Sequence, residues 1–453
     1  MSLNFTWPRD VYFWGQNRLG SFMPMVSHAL IKCIPVHPLY VCSVVQYLLL
    51  VIPAFIISGI LKNVWLKLAI FALILIPVNE YNALLYLGHP YASGLFCGVM
   101  FLVFSNSFLS QIRSTENNFK KNLKLWGSLV LAQLFLFLSV WISEFNVLLI
   151  IIPGILFFQS AKHSVRHLDK KFIFFLLAEA VVFLIIAINT FREFKSHAPA
   201  DNVYDKIFIT DTSSIVQQFN FLLRKIADTW LFRDGKIVEN LFYYLFLLFI
   251  IALLFIRKTR EEPINKWITP LAVFAITGII FLFFSLWNLR SEYSPRYHIP
   301  VYIAATIFFV LLFDSKFNKK ISALFTISLF AISVMFCYLT LIRHERRTPF
   351  ERYGEFASLP RGTLIAGYWE TYVICSVACY NLQPLPFQQH MVRNWGWRDA
   401  LLAEKNFYFI DTPDFREYST GNFIRQFDTD FIFTGKIYHC NNISVLLYYK
   451  KAD

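Results

Sequence analysis

Apolar residues in this sequence come in long runs broken by short polar connections. About ten runs approach the ~20 residues that a membrane-crossing helix needs. They lie at 40–60, 62–78, 92–110, 125–142, 145–158, 172–190, 240–256, 267–286, 298–313 and 321–341. The run 145–158 is short and contains Pro153, so its ends are weakly defined. Two other stretches are one-sided. In 18–37, Leu19, Phe22, Met23, Met25, Val26, Leu30 and Ile31 mix with Ser21, Ser27, His28 and Lys32. In 213–232, Ile215, Phe219, Leu222, Leu223 and Ile226 share a face, with Arg224, Lys225 and Asp228 off it. Helices with one apolar face are expected to lie in the membrane–water interface.

From about 345 the pattern changes. Charged and amide residues recur throughout, and no apolar run is long enough to span. Thr363–Trp369, Asn406–Asp411, Phe431–Thr434 and Ser444–Tyr449 read as strands, and Thr371–Tyr380 and Arg398–Glu404 as helices between them. Asn441-Asn442 between the last two strands reads as a hairpin turn. The expected fold is therefore an α-helical polytopic membrane protein with a small C-terminal extracytoplasmic α/β domain. Its parts are an outer loop with an interfacial helix (1–37), a multi-span domain (38–341) and the α/β domain (342–453).

Composition supports the membrane reading. The chain is 57% hydrophobic and only 16% charged, against about 25% charged in soluble proteins. A net charge of +13 raises the question of nucleic acid, but many of the basic residues sit in short loops between spans, which reads as topology and not as a binding stripe. The loop 111–124 holds Arg113, Lys120, Lys121 and Lys124. The loop 159–171 holds Lys162, Arg166, Lys170 and Lys171. The loop 257–266 holds Arg257, Lys258, Arg260 and Lys266, and 314–320 holds Lys316, Lys319 and Lys320; Lys62 and Lys67 flank the first turn-around. The connections near 79–91 and 143–144 hold no Lys or Arg. The positive-inside rule then places 1–37, 79–91, 191–239, 287–297 and 342–453 outside the cytoplasm. A chain whose start lies outside is expected to be preceded by a further span of about 20 residues. The alternative is that the helix after residue 37 inserts as a reverse anchor. Residues 1–20 contain Trp7, Arg9, Asp10 and Arg18 and lack the apolar core of a signal peptide.

Chemistry outside the cytoplasm has no ATP or nucleotide sugar to draw on. A transferase there needs an activated donor that arrives in the membrane, and a polyprenyl-phosphate-linked sugar is one. Displacement at its anomeric carbon needs a carboxylate to take the acceptor's proton and cations to hold the departing phosphate. Asp10, beside Arg9 and the aromatic run Tyr12-Phe13-Trp14, fits the base; the plainer reading is a surface ion pair with Arg9. Arg296 and Tyr297, in Ser294-Pro295-Arg296-Tyr297-His298, sit at the outer start of a span, where Arg can meet phosphate or merely snorkel beside an aromatic-belt Tyr. Glu80 and His89 are the polar content of another outer loop, either as an acceptor-orienting acid with its neighbour or as solvated loop residues. The seven cysteines show no metal spacing. Cys375 and Cys379, one helical turn apart, bind no metal unaided and read as structural.

The segment Arg9-Asp10-Val11-Tyr12-Phe13-Trp14-Gly15-Gln16-Asn17-Arg18-Leu19-Gly20-Ser21 resembles the first outer loop of the glycosyltransferase C superfamily, where an acid precedes interfacial helices. Gly88-His89-Pro90-Tyr91 and Ser294-Pro295-Arg296-Tyr297 resemble outer-loop motifs of its bacterial members, relatives of protein mannosyltransferases and aminoarabinose transferases. Gly367-Tyr368-Trp369 and Val392-Arg393-Asn394 are similar to their soluble C-terminal domain. The resemblance implies an inverting, polyprenyl-phosphate-sugar-dependent transferase at the outer face of the cell membrane. Asp10 would be its base, and Arg9, Arg18, Glu80, His89, Arg296 and Tyr297 would bind substrate. The acceptor, whether glycan, lipid or protein, is left open. Two departures stand out. The family's first span is missing, and its paired first-loop acids are reduced to Arg9-Asp10, which leaves a divalent metal cofactor an open question.

Two other classes compete. A polymerase or ligase would use Arg and His in a long outer loop, and 191–239 offers Arg192, His197, Arg224 and Arg233. A transporter or flippase would use ionisable groups at mid-membrane. Glu179 is the acid that fits, unless it packs against a polar neighbour such as Gln133.

Overall fold

The computed structural model describes Trp7 and residues 20–76, 84–85, 89–112, 119–164, 170–196, 211–230, 265–285, 295–316, 319–338, 348–378, 381–387, 400–411 and 422–451. The helices are α1 (Phe22–Ile31), α2 (Pro38–Ser58), α3 (Val64–Leu75), α4 (Tyr91–Ile112), α5 (Phe119–Ile142), α6 (Ile151–Ser164), α7 (Lys170–Ser196), α8 (Thr212–Trp230), α9 (Asn265–Phe283), α10 (Ile299–Lys316) and α11 (Lys319–Cys337). Each apolar run read from the sequence falls on one of these, except 240–256, which lies outside the described residues. The weakly bounded run 145–158 divides into a 3₁₀ turn, Glu144–Ile150, and α6.

Four described helices have the length and composition to cross a bilayer: Pro38–Ser58, Tyr91–Ile112, Leu123–Ile142 and Lys266–Phe283. These are the marks of a membrane protein. The run 62–78 yields a shorter helix than its apolar length suggests. The 12 residues of α3 rise about 18 Å at 1.5 Å per residue, short of a hydrocarbon core of about 30 Å. Its ends explain this. The Asn63 side chain caps the start by accepting the Trp65 N–H. Ile76 precedes Pro77 and leaves the helical region, at φ −130 and ψ 60, as pre-proline crowding favours.

The helices pack where side chains are small or polar, the usual means of association in lipid. A Cβ on Gly98 of α4 would meet Leu149 at 2.9 Å, and one on Gly278 of α9 would meet Val301 of α10 at 2.8 Å. Between α4 and α5, the hydroxyls of Ser107 and Ser128 lie 3.0 Å apart, and the Gln111 amide donates to both. Outward faces are bare and apolar. On α7, Leu177, Val181, Leu184 and Ile186 are all more than half exposed. On α11, Leu324 and Ile327 are likewise.

Contacts at the helix ends fall into two sets. In one, the Asp314 carboxylate accepts the backbone N–H groups of Lys62 and Asn63, each at 2.9 Å, so the end of α10 caps the start of α3. Thr326 of α11 donates to the Trp65 carbonyl, and Lys266 reaches Asn106. In the other set, Gly20 bonds to Trp141, Trp7 meets Phe194, Lys195 pairs with Glu144, Gln46 donates to the Leu84 carbonyl and Gln218 to that of Phe283. Each set joins only ends that the basic loops assign to one side.

The C-terminal part folds around a six-stranded sheet: β1 (Gly362–Ala366), β2 (Leu382–Pro386), β3 (Phe407–Ile410), β4 (Phe423–Gln426), β5 (Thr429–Cys440) and β6 (Ile443–Lys450), in the order β2-β1-β3-β6-β5-β4. β1 pairs parallel with β2 and β3, and the remaining pairs are antiparallel. Helix α12 (Pro349–Tyr353) precedes the sheet, and α13 (Tyr368–Val377) crosses from β1 to β2. Both sheet faces are covered. Leu364 and Ala366 face a core with Phe356, Ile374 and Cys375. Ile365, Phe407 and Phe409 face another with Leu385, Leu401 and Phe431. That is why every residue of Gly362–Ala366 and Phe407–Ile410 is buried rather than alternate ones, with the Thr363 hydroxyl satisfied by the Leu401 carbonyl. The Asn441-Asn442 turn forms as read, with φ 48 and 68, the left-handed pair that a two-residue hairpin needs. Strands β2 and β4 were not read from the sequence. Pro384 and Pro386 made β2 look like loop, but it is an edge strand, where proline is tolerated. The helix expected at 398–404 lies partly outside the described residues.

Candidate functional site

The described parts of the sequence-derived site gather at one end of the bundle, where α2, α4 and α10 begin and α5, α7 and α9 end. Asp10, Arg9, Arg18 and Glu80 lie outside the described residues, but their flanks are described. On one flank of residues 8–19, Trp7 sets its ring edge-on to Phe194 of α7 at 5.3 Å. On the other, the Gly20 N–H donates to the Trp141 carbonyl of α5 at 2.9 Å. Phe194 and Trp141 themselves meet at 5.8 Å. Both ends of the segment carrying Arg9 and Asp10 are therefore fixed to one aromatic cluster. Gly20 is required there by space, because a Cβ would stand 2.6 Å from the Trp141 ring. The Trp141 indole N–H is buried, with no acceptor among the described residues. Beyond Glu80 along the chain, Leu84 is fully buried and its carbonyl accepts from Gln46 of α2 at 2.8 Å.

His89 stands just before α4, half-buried, with its ring 5.8 Å from Tyr91. Arg296 lies in the 3₁₀ turn Pro295–His298 that leads into α10, and its side chain is outside the described residues. Tyr297 packs partly buried against the bundle core, and His298, which sequence reading passed over, is 7% exposed. A turn anchored by these two rings, at the N-terminal and positive end of a helix, suits an anionic ligand.

The α/β domain docks at the same end. Phe350 of α12 stacks on Tyr40 at 5.3 Å and meets the His37 ring at 4.9 Å. His37 also caps α2, its Nδ1 accepting the Leu39 N–H at 3.2 Å. The tip of the β5–β6 hairpin holds α12 in place. The Asn441 N–H donates to Glu355 at 2.6 Å, and the Asn441 side chain donates to the carbonyls of Glu351 and Arg352. Of the tail residues in the resemblance, Gly367 is the N-cap of α13 and Val392-Arg393-Asn394 lie outside the described residues.

Other groups are poor candidates for chemistry. Cys375 and Cys440 are buried in the α/β core, and burial pushes both thiols above their ordinary range. Burial likewise holds the Tyr448 phenol up at about 12. Glu179 accepts a hydrogen bond from the Gln133 amide, the helix-packing partnership weighed from the sequence. No group of three or more His, Cys, Asp or Glu able to hold a metal occurs among the described residues. The chain matches no family model, no curated protein and no solved structure.

Proposed function

We propose that this protein transfers a sugar, with inversion, from a polyprenyl-phosphate donor to an acceptor at the outer face of the cell membrane. The reading takes the two sets of helix-end contacts as the two sides of a multi-pass bundle of about ten spans. The mouth described above is then external. The observation that carries it is the fixing of both flanks of residues 8–19 to the α5–α7 aromatic cluster. Trp7 and Gly20, which bracket a short acidic and aromatic segment, thus lie at the ends of apolar helices, the level at which a lipid-borne phosphate would lie.

In the proposed reaction the acceptor hydroxyl oxygen attacks the anomeric carbon as its proton passes to Asp10. The bond from that carbon to the phosphate oxygen breaks, and the electron pair leaves with the polyprenyl phosphate. Arg296 neutralises the departing phosphate. Arg9, Arg18, Glu80, His89 and Tyr297 are the residues proposed to bind substrate. Whether a divalent metal assists rests on whether a second acid joins Asp10, and Glu80 is the acid to test.

Transfer from a radiolabelled polyprenyl-phosphate sugar in membranes tests the reading. Asp10→Asn is expected to keep the protein inserted and lower turnover by about 10²–10⁴-fold, roughly 3–5 kcal/mol in the barrier. Near-normal turnover would remove Asp10 from the role. Arg296→Lys is expected to lower transfer per inserted molecule, because a point charge does not replace a bidentate fork. A snorkelling anchor would tolerate that change.

A further inference from the structure

We infer that α8 is seated on lipid by a narrow stripe of three side chains, Val216, Phe219 and Leu223, and that the bilayer surface is the partner of this face. The inference needs a membrane around the bundle but not the transferase reading. Over the residues whose side chains are described, α8 has three sectors. Gln218 is fully buried, and its amide donates to the carbonyl of Phe283, the last residue of α9. Gln217, Asn220 and Arg224 are polar and exposed. Val216, Phe219 and Leu223 are 53%, 51% and 48% exposed. At about 3.6 residues per turn, these last three form one stripe between the protein-facing and polar sectors.

The depth of the stripe identifies its occupant. Phe283 ends one of the helices long and apolar enough to cross a bilayer, so the Gln218 bond holds α8 level with the edge of the hydrocarbon. A helix at that level, with protein on one side and a polar face on another, turns its bare apolar side to acyl chains. The cost of leaving such a stripe in water is removed when it sinks about 5–10 Å into the headgroup boundary. Sequence periodicity placed Ile215 on this face, but the structure leaves Ile215 less exposed than the stripe, on the flank toward Gln218.

The test uses the full chain reconstituted in phosphatidylcholine vesicles. Spin labels are placed at Val216→Cys, Phe219→Cys, Leu223→Cys, Gln217→Cys and Asn220→Cys, in a Cys33→Ser background that itself serves as the blank. Collisions with oxygen should exceed those with a water-soluble nickel chelate at 216, 219 and 223, and the order should reverse at 217 and 220. Nickel dominance at all five positions would overturn the inference by placing the stripe in water. Exclusion of both reagents at 216, 219 and 223 would also overturn it, since protein would then cover the face. A measurement on the unsubstituted chain stands beside this. A lipid carrying a photoactivated carbene in its upper acyl chain should leave adducts on Val216, Phe219 or Leu223. Adducts on α7 residues such as Leu177 and Val181 with none on α8 would refute the inference.

Discussion

Single residues at the mouth are held by space as much as by bonds, and Gly20 is the clearest case. Its N–H bonds to the Trp141 carbonyl, and any side chain would enter both that carbonyl, 2.7 Å away, and the ring. Gly20→Ala is expected to destabilise the protein by about 1–3 kcal/mol, the usual cost of overpacking. Thermal melting of the solubilised protein would register it. Because Gly20 adjoins the segment that carries Asp10, the proposed transfer should fall further than the loss of folded protein explains. Equal activity per folded molecule would detach Gly20 from the site. The motif around Gly20 was legible in the sequence, but the reason for the glycine was not. The Trp141 ring that fills its space is far along the chain, and no local pattern shows it. The same holds for Asp314, whose carboxylate accepts the N–H of Lys62, 252 residues earlier and just ahead of α3. In the sequence it was only an acid beside a basic loop.

At the scale of elements, periodicity found the helices well and their ends less well. Apolar runs located α2, α4 and α5 because lipid-facing and packed faces are both apolar. α3 was read too long because hydropathy is blind to pre-proline crowding at Ile76. In the α/β domain, β1, β3, β5 and β6 were read from apolar and β-branched clusters, whereas the edge strands carry prolines or polar residues and look like loops. The start of α8 makes a prediction of its own. The Asp211 carboxylate accepts from the Ser213 hydroxyl and the Ser214 N–H, each at 2.7 Å. The Ser214 and Ser213 hydrogen bonds lower its pKa from 3.8 to about 2. A carboxyl whose folded pKa is depressed gives stability above its unfolded value and loses it as pH falls through the folded one. Asp211→Asn should therefore weaken α8 at neutral pH and make little difference near pH 2. Amide exchange along α8 in the two proteins across that range would check it. A difference that persists unchanged at low pH would contradict the carboxylate cap.

For the whole molecule, the arrangement of basic loops yields the strongest prediction. In a Cys33→Ser background, which removes the exposed free thiol of the outer segment, a thiol introduced by Ser114→Cys should be protected from an impermeant reagent applied outside intact cells and should react once the membrane is opened. Labelling from outside would invert the proposed topology and put the mouth in the cytoplasm. That expectation rests on several loops, each carrying its own basic residues. The docking of the α/β domain was not legible in the sequence, since Phe350, His37 and Tyr40 are ordinary residues until the fold brings them together. The Asp314 tie has a further consequence, in the order of biosynthesis. While a ribosome is still making α9, the start of α3 lacks the carboxylate that will accept its Lys62 and Asn63 amides, and α3 is too short to span by itself. The bundle therefore closes late, when α10 arrives to cap α3 and α11 to lie along it. A nascent chain halted before residue 314 would keep the Asn63 cap of α3 but leave the Lys62 and Asn63 amides without their carboxylate acceptor.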